Sequence, residues 1–221
     1  MAKTATAKQE ETGTDLQSVQ ERIRNRLAKI NETTQQISGQ NISTKGKVFR
    51  LPDGKTSQGP LNCIIVDYVN KNMYYKEAYV EGEFAEPDCY AVGREIKLLR
   101  PSENAQDPQN EVCEDCPHNQ FGSKGRGKAC ANNVLLAILP EDFTEDSEIY
   151  TLKVSATGLK HWTKYVRDLS NADVDPIQVV TSISMDPDLA YPSLRFKQLG
   201  GNKLFDEIGG FISKADTLLN A

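Results

Sequence analysis

The chain has 221 residues, of which 38% are hydrophobic and 26% are charged, and its formal net charge at pH 7 is −5. These proportions are typical of a folded, polar protein, and they exclude collagen, mucin and wholly disordered chains. The negative charge excludes a protein that coats nucleic acid by bulk charge, so any such binding would need a local basic surface. The longest apolar runs, 63–66 and 134–139, are strand-sized and fall short of the roughly 18 residues of a membrane span.

The first 44 residues contain no aromatic residue and no proline, and they predict a polar leader followed by an amphipathic helix. Leu16, Val19, Ile23, Leu27 and Ile30 recur every three or four residues, which gives a narrow apolar stripe. Such a helix either packs on a domain or pairs with a second copy as a short coiled coil. The leader lacks the apolar run of a secretion signal, so we expect a cytoplasmic protein with reduced cysteines.

From residue 45 to about residue 200, short β-type segments alternate with turn residues. The predicted strands are 47–51, 61–69, 73–80, 89–92, 95–99, 134–139, 149–154, 177–185 and 194–199. This spacing indicates a barrel or sandwich with flanking helices, that is, a mainly β, α+β fold. The predicted organisation is therefore a leader and helix over 1–44, a β body over 45–200 and a helix over 201–221.

Two helices follow or interrupt the predicted strands. Thr157 can cap the first, and Trp162 lies on its apolar face, so we predict that Trp162 is a core residue. The second is predicted over 202–219 with a kink at Gly209 and Gly210, because glycine weakens a helix interior.

The most specific chemical signal is the C-x2-C motif of Cys113 and Cys116. Thirteen residues separate it from Cys130, and 23 residues separate Cys89 from it. A C-x2-C turn supplies two ligands to a tetrahedral metal, and distant cysteines complete the set. We predict a structural zinc site with Cys89 as the fourth ligand and His118 as the alternative. Reduced, unligated cysteines and a redox disulfide remain open as other interpretations.

A glycine-rich loop inside this motif is the first candidate for contact with nucleic acid. Lys124, Arg126 and Lys128 alternate there with glycines, and such cations can follow a phosphate backbone. The register of a P-loop is missing, because Ala129 follows Lys128. An ordinary solvated loop is the alternative.

A tyrosine-rich segment is the second candidate, and we predict a hairpin there with Asn70-Lys71-Asn72 as its connection. It holds four of the eight tyrosines within twelve residues, interleaved with lysines. Rings on a sheet surface stack with bases at roughly 1–3 kcal/mol per base, whereas β-propensity alone would also produce such a strand. The candidate DNA-binding residues are Tyr68, Lys71, Tyr74, Tyr75, Lys76 and Tyr79.

Enzyme signatures are absent from the sequence. It contains no G-x-S-x-G, H-E-x-x-H or strand-linked G-x-G-x-x-G motif, and only two histidines. The acidic residues between 141 and 148 offer no identifiable acid and base pair. We therefore expect a protein without catalytic activity.

The cysteine segment also resembles a known family. Cys-x2-Cys-Pro-His-Asn-Gln-Phe-Gly-Ser from Cys113, continued by Gly-Arg-Gly-Lys-Ala-Cys to Cys130, is similar to tailed-phage proteins that are associated with single-stranded DNA binding through an OB fold. The resemblance covers about 48–199 and takes in 61–75. It also includes Ser155-x-Thr157-Gly158-Leu159 and Tyr191-Pro192-Ser193-Leu194-Arg195-Phe196.

This resemblance implies an OB-like β-barrel with a zinc-bound insertion at about 89–130. The implied function is sequence-tolerant protection of single-stranded DNA during phage DNA replication and recombination in the cytoplasm of the bacterial host. Phage replication proteins, and a second copy bound through the terminal helices, are the further partners expected. A zinc-stabilised interaction or virion-assembly protein without nucleic-acid affinity is the second hypothesis, and a metal-dependent nuclease is the third.

Overall fold

The computed structural model of the protein describes residues 40–78 and 85–220. The compact unit that contains them spans Gln40–Ala221. The predicted N-terminal helix with its stripe from Leu16 to Ile30 lies outside the described residues, as does the candidate residue Tyr79.

The described residues form a mainly β fold with two α-helices, as the sequence predicts. The strands are β1 (Asn41–Ile42), β2 (Phe49–Arg50), β3 (Thr56–Ser57), β4 (Leu61–Tyr74), β5 (Cys89–Gly93), β6 (Ala131–Pro140), β7 (Tyr150–Val154), β8 (Val179–Met185) and β9 (Leu194–Gly201). The helices are α1 (Ala156–Ser170) and α2 (Gly209–Leu219). The α+β class is thereby confirmed.

Seven strands form one mixed sheet in the order β1-β7-β6-β4-β8-β9, with β5 added beside β4. The β1–β7 pair is parallel and the others are antiparallel. Strand β4 pairs with β6 along most of one edge, whereas β8 and β5 share its other edge at residues 61–64 and 70–74. The path from β1 to β9 is open, so a closed barrel is not seen in the described residues.

The hairpin predicted at Asn70-Lys71-Asn72 is wrong, because β4 runs unbroken through these residues. Asn70 and Asn72 are buried, at 8% and 6% exposure. Asn70 Nδ2 donates to Arg94 O at 2.7 Å, and Asn72 Oδ1 accepts from Asn132 Nδ2 at 2.7 Å. Asparagine favours turns when it bonds to its own backbone, but here neighbouring segments satisfy both amides.

Two other predicted elements differ in detail. A 3-10 turn at Ile96–Leu98 replaces the strand predicted over 95–99. The C-terminal helix begins at Gly209, after a 3-10 turn at Phe205–Glu207, so the glycine pair starts the helix and does not kink it. A glycine pair costs less at a helix end than in its interior, which explains this start.

The two faces of the sheet carry separate apolar cores. Successive residues of a strand point to opposite faces, so Ile65 joins the core under α1, whereas Ile64 joins the core under α2. Trp162 of α1 is 4% exposed in the first core, which confirms its predicted role. Phe211 and Leu219 of α2 are buried in the second core. The C-terminal helix therefore belongs to the same compact unit as the sheet.

Candidate metal centre and nucleic-acid interface

Four cysteines line one small cavity at the end of β4 and β5. Cys89 begins β5, Cys130 immediately precedes β6, and Cys113 and Cys116 lie on the segment between these strands. All four are free thiols, each between 7% and 9% exposed. The cavity has a volume of about 20 Å³, which is room for about one water-sized particle. We call residues 113–130 the cysteine loop.

The four thiols surround the cavity but are not drawn together at its centre. In residues 40–78 and 85–220, no group of three or more Cys, His, Asp or Glu side chains has an arrangement that could hold a metal ion. The pKa of the Cys130 thiol is raised to about 12, chiefly by burial and in smaller part by the charges of the three neighbouring cysteines. Burial also raises the pKa of Cys113. The thiols of Cys113 and Cys130 are therefore protonated at neutral pH unless a cation stabilises their thiolates.

His118, the alternative fourth ligand, does not line the cavity. Its ring stacks on the ring of Tyr74, with 4.3 Å between centroids and 24° between planes. Its backbone carbonyl accepts a hydrogen bond from Cys130 N at 2.8 Å. Of the two candidates for the fourth position, Cys89 is thus the one that lies with the other cysteines.

One buried amide, that of Asn119, connects the two ends of the cysteine loop. Asn119 Nδ2 donates to Cys113 O at 2.7 Å. Its Oδ1 accepts from Lys128 Nζ at 3.2 Å and from Asn132 Nδ2 at 2.9 Å. Because this side chain is 9% exposed, losing its partners would leave buried polar atoms unsatisfied. The loop is therefore held on β6 by side-chain hydrogen bonds.

Strand β4 also reaches the thiols through a residue that the sequence analysis missed. A hydrogen bond from the Asn72 side chain opposes the rise in the pKa of Cys113. Because Asn72 Oδ1 accepts from Asn132, its amide nitrogen is the donor available to the sulfur. Amide donors to ligating sulfurs are common around metal centres. Asn72 was predicted in a hairpin connection, and the sequence carried no signal that Asn119 and Asn132 would join it, because asparagine is most typical of turns.

The cationic segment 122–128, which we call the basic turn, is a tight hairpin closed by backbone hydrogen bonds. Gly122 N and Lys124 N donate to Gly127 O at 2.9 and 3.3 Å, and Gly127 N donates back to Lys124 O at 3.0 Å. Gly125 has a φ of +60°, which glycine adopts without strain. Lys124 and Arg126 are exposed, and neither takes part in an ion pair within the described part of the chain. The turn thus presents two cations to solvent on a defined backbone.

Three of the other predicted DNA-binding residues have partners inside the protein. Tyr68 is half-buried with its ring in edge contact with Trp162, 5.0 Å between centroids. Tyr74 stacks on the imidazole described above. Lys76 forms an ion pair with Asp107. These contacts leave less of the tyrosine-rich segment for nucleic acid than the sequence predicts.

The remaining predicted residues of the tyrosine-rich segment, Lys71 and Tyr75, lie with two residues that were not predicted, Met73 and Tyr90, on the other face of the sheet. Lys71, Met73 and, just past the strand, Tyr75 alternate with the cavity-lining residues of β4. Tyr90 of β5 lies directly opposite Met73 in the sheet, and it also borders the cysteine cavity. Tyr75 is 39% exposed, and the other three are partly exposed. We call these four residues the open sheet face, and its two rings are the aromatic surface that is left for stacking.

Comparisons with protein-family models, with curated proteins and with solved structures find no match. Among residues 40–78 and 85–220, no helix has both the length and the apolar character needed to cross a membrane. The cavity, the basic turn and the open sheet face are the features of the described residues that bear on function.

Proposed function

We propose that this protein binds single-stranded DNA without sequence preference, and that zinc held by Cys89, Cys113, Cys116 and Cys130 fixes part of the binding surface. The observation that carries the proposal is the basic turn, whose exposed cations lie between two cysteines of one cavity. The role is protection of single strands in phage DNA replication and recombination, without catalysis. The OB-like character of the sheet around β4 is part of the same proposal.

The donor set fits zinc. Zinc takes four thiolates in structural sites, and here four buried, unoxidised thiols line a cavity large enough for one small particle. The ion would crosslink a loop that has no aliphatic core. Lys128 lowers the pKa of Cys130, so it would offset part of the excess negative charge.

The DNA contacts divide between two surfaces. Lys124 and Arg126 would meet phosphates, which gives affinity that falls with salt. Tyr75 and Tyr90 on the open sheet face would stack with bases, and stacking tolerates any sequence because every base has a π-face. A net charge of −5 does not oppose this, since the basic turn carries three cations and no acidic residue and is therefore locally positive.

The test is fluorescence anisotropy of a labelled oligo-dT strand over a series of salt concentrations. The triple variant Lys124→Ala, Arg126→Ala, Lys128→Ala should flatten the slope of log K against log salt by about 1.4 units, because Lys124 and Arg126 would each supply one phosphate contact at about 0.7 per contact. A matched control removes three exposed lysines elsewhere, Lys153, Lys160 and Lys197. The control should leave the slope nearly unchanged.

The other two hypotheses predict different outcomes in the same assay. No binding at micromolar protein would overturn the proposal in favour of a zinc-stabilised interaction protein. Magnesium-dependent shortening of the oligonucleotide, read on a denaturing gel, would instead indicate a nuclease. An equal loss of slope in the triple variant and its control would remove the basic turn from the interface.

A further inference from the structure

Phe121, immediately before the basic turn, is 82% exposed, more than any other large hydrophobic side chain in the described residues. A single exposed apolar side chain is ordinary on a protein surface and by itself indicates nothing. Its surroundings are what distinguish it, because Lys124 and Arg126 follow it on the exposed turn. The nitrogen of Lys128 lies 5.2 Å from the centroid of its ring.

The backbone that carries Phe121 is fixed on both sides. Ser123 Oγ donates to Gln120 O at 2.7 Å and accepts from Ala129 N at 2.9 Å. Gln120 Nε2 donates to Glu114 O at 2.7 Å. Hydrogen bonds therefore hold the backbone that carries the ring. Because this backbone is already ordered, less conformational entropy is lost when a ligand stacks on the ring.

We infer that Phe121 is a base-stacking residue and that it gives the basic turn its preference for single strands. The inference rests on the proposed function and adds a residue and a source of specificity to it. Cations attract duplex and single strands alike, because both carry phosphates. An unpaired base also offers a free π-face, which a base inside a duplex does not. A ring beside exposed cations thus selects the unpaired form.

The experiment compares Phe121→Ala with Phe121→Trp in the full-length chain, using labelled oligo-dT and a duplex of equal length. Loss of one stacked base should weaken oligo-dT binding by about 5-fold to about 150-fold and leave duplex binding unchanged. Phe121→Trp should retain affinity, and its indole fluorescence should be quenched by oligo-dT. Trp162 is the single native tryptophan and is buried, so the unmodified protein supplies the background. Phe205→Ala, at a 44% exposed phenylalanine, is the matched control.

The possible failures are distinguishable. If the unmodified protein binds oligo-dT and the triple cation variant weakens that binding, but Phe121→Ala binds as the unmodified protein does, the stacking role is wrong and the proposed function stands. If Phe121→Ala weakens the binding of duplex and of single strands equally, Phe121 is not the source of the preference for single strands and the inference is wrong. If the unmodified protein binds no oligo-dT, both the inference and the proposed function are overturned.

Discussion

The sheet body and the cysteine loop of this protein are stabilised by different interactions. The side chains fully buried in the sheet are mostly aliphatic, such as Ile64, Leu136 and Leu152. In the cysteine loop the buried side chains are three cysteines and Asn119. Aliphatic burial stabilises a fold by roughly 25 cal/mol per Å² of apolar surface, and the loop has little of it. The body can therefore hold its shape through apolar burial, whereas the loop depends on hydrogen bonds, to which the proposed zinc would add a crosslink.

The largest loss of stability is expected when a mutation creates a cavity in the apolar core of the sheet body. Trp162→Ala removes a ring that contacts Tyr68 and Phe196, and it should lower the free energy of unfolding by about 3–5 kcal/mol. Urea denaturation followed by circular dichroism measures this. A loss below about 1 kcal/mol, well under the usual cost of such a truncation, would contradict the role assigned to aliphatic and aromatic burial in the body.

Metal removal should affect the loop and spare the body. The protein as isolated should hold one zinc per chain, and a chelator should expose the amides of Gly127 and Cys130 to hydrogen exchange while β4 and β6 stay protected. Cys113→Ser should lose the zinc. Cys63→Ala is the matched control, because Cys63 is buried in the sheet core outside the cavity. Loss of zinc in both variants, or in neither, would contradict the assignment of the ligands.

A smaller effect is expected at Asn119. Asn119→Ala leaves the carbonyl oxygen of Cys113 without its hydrogen-bond donor. This should reduce the stability of the cysteine loop alone by about 1–3 kcal/mol. Competition for zinc with a chromophoric chelator reports this as weaker metal binding. Asn104→Ala, at an exposed asparagine outside the cysteine loop, should leave zinc affinity unchanged. Equal zinc affinity in both variants would show that the Asn119 amide does not support the loop.

The smallest effect is expected at the exposed ion pair of Lys76 and Asp107. The hydrogen bond from Lys76 lowers the pKa of Asp107, and a second one from Gln109 adds to this. A carboxyl whose pKa is lowered on folding stabilises the fold above its ordinary pKa, and this contribution is lost as the pH falls through the lowered pKa. Asp107→Asn should thus barely change the urea midpoint at pH 7, and any difference should vanish in acid. If the difference in urea midpoint between the unmodified protein and Asp107→Asn grew as the pH fell, the stabilising role of the Asp107 carboxylate would be contradicted.

The sequence predicted the parts of the molecule that depend on local pattern. Trp162 lies on an apolar helical stripe, and its burial followed from the period of that stripe. The C-x2-C spacing with Cys130 and Cys89 anticipated four cysteines around one cavity, because close thiols with distant partners are a recurring arrangement. These features are encoded by spacing along the chain.

The features that the sequence did not predict depend on neighbours that are distant in the chain. Asn70 and Asn72 have the chemistry of turn residues, and partners on other segments keep them inside β4. The sequence predicted a tyrosine-rich segment as a binding surface, but the internal contacts of Tyr68 and Tyr74 leave Tyr75, and it did not single out Tyr90 of β5, which lies opposite Met73. Phe121 carried no periodic signal, because its exposure follows from the geometry of the basic turn.

One measurement tests most directly whether the metal centre supports DNA binding. Oligo-dT affinity is measured by anisotropy on the zinc-loaded protein, after chelation, and after zinc is restored, while circular dichroism follows the sheet. The account predicts that affinity falls on chelation and returns with zinc, while the β signal stays constant. Unchanged affinity in protein shown to have lost its zinc would contradict the account.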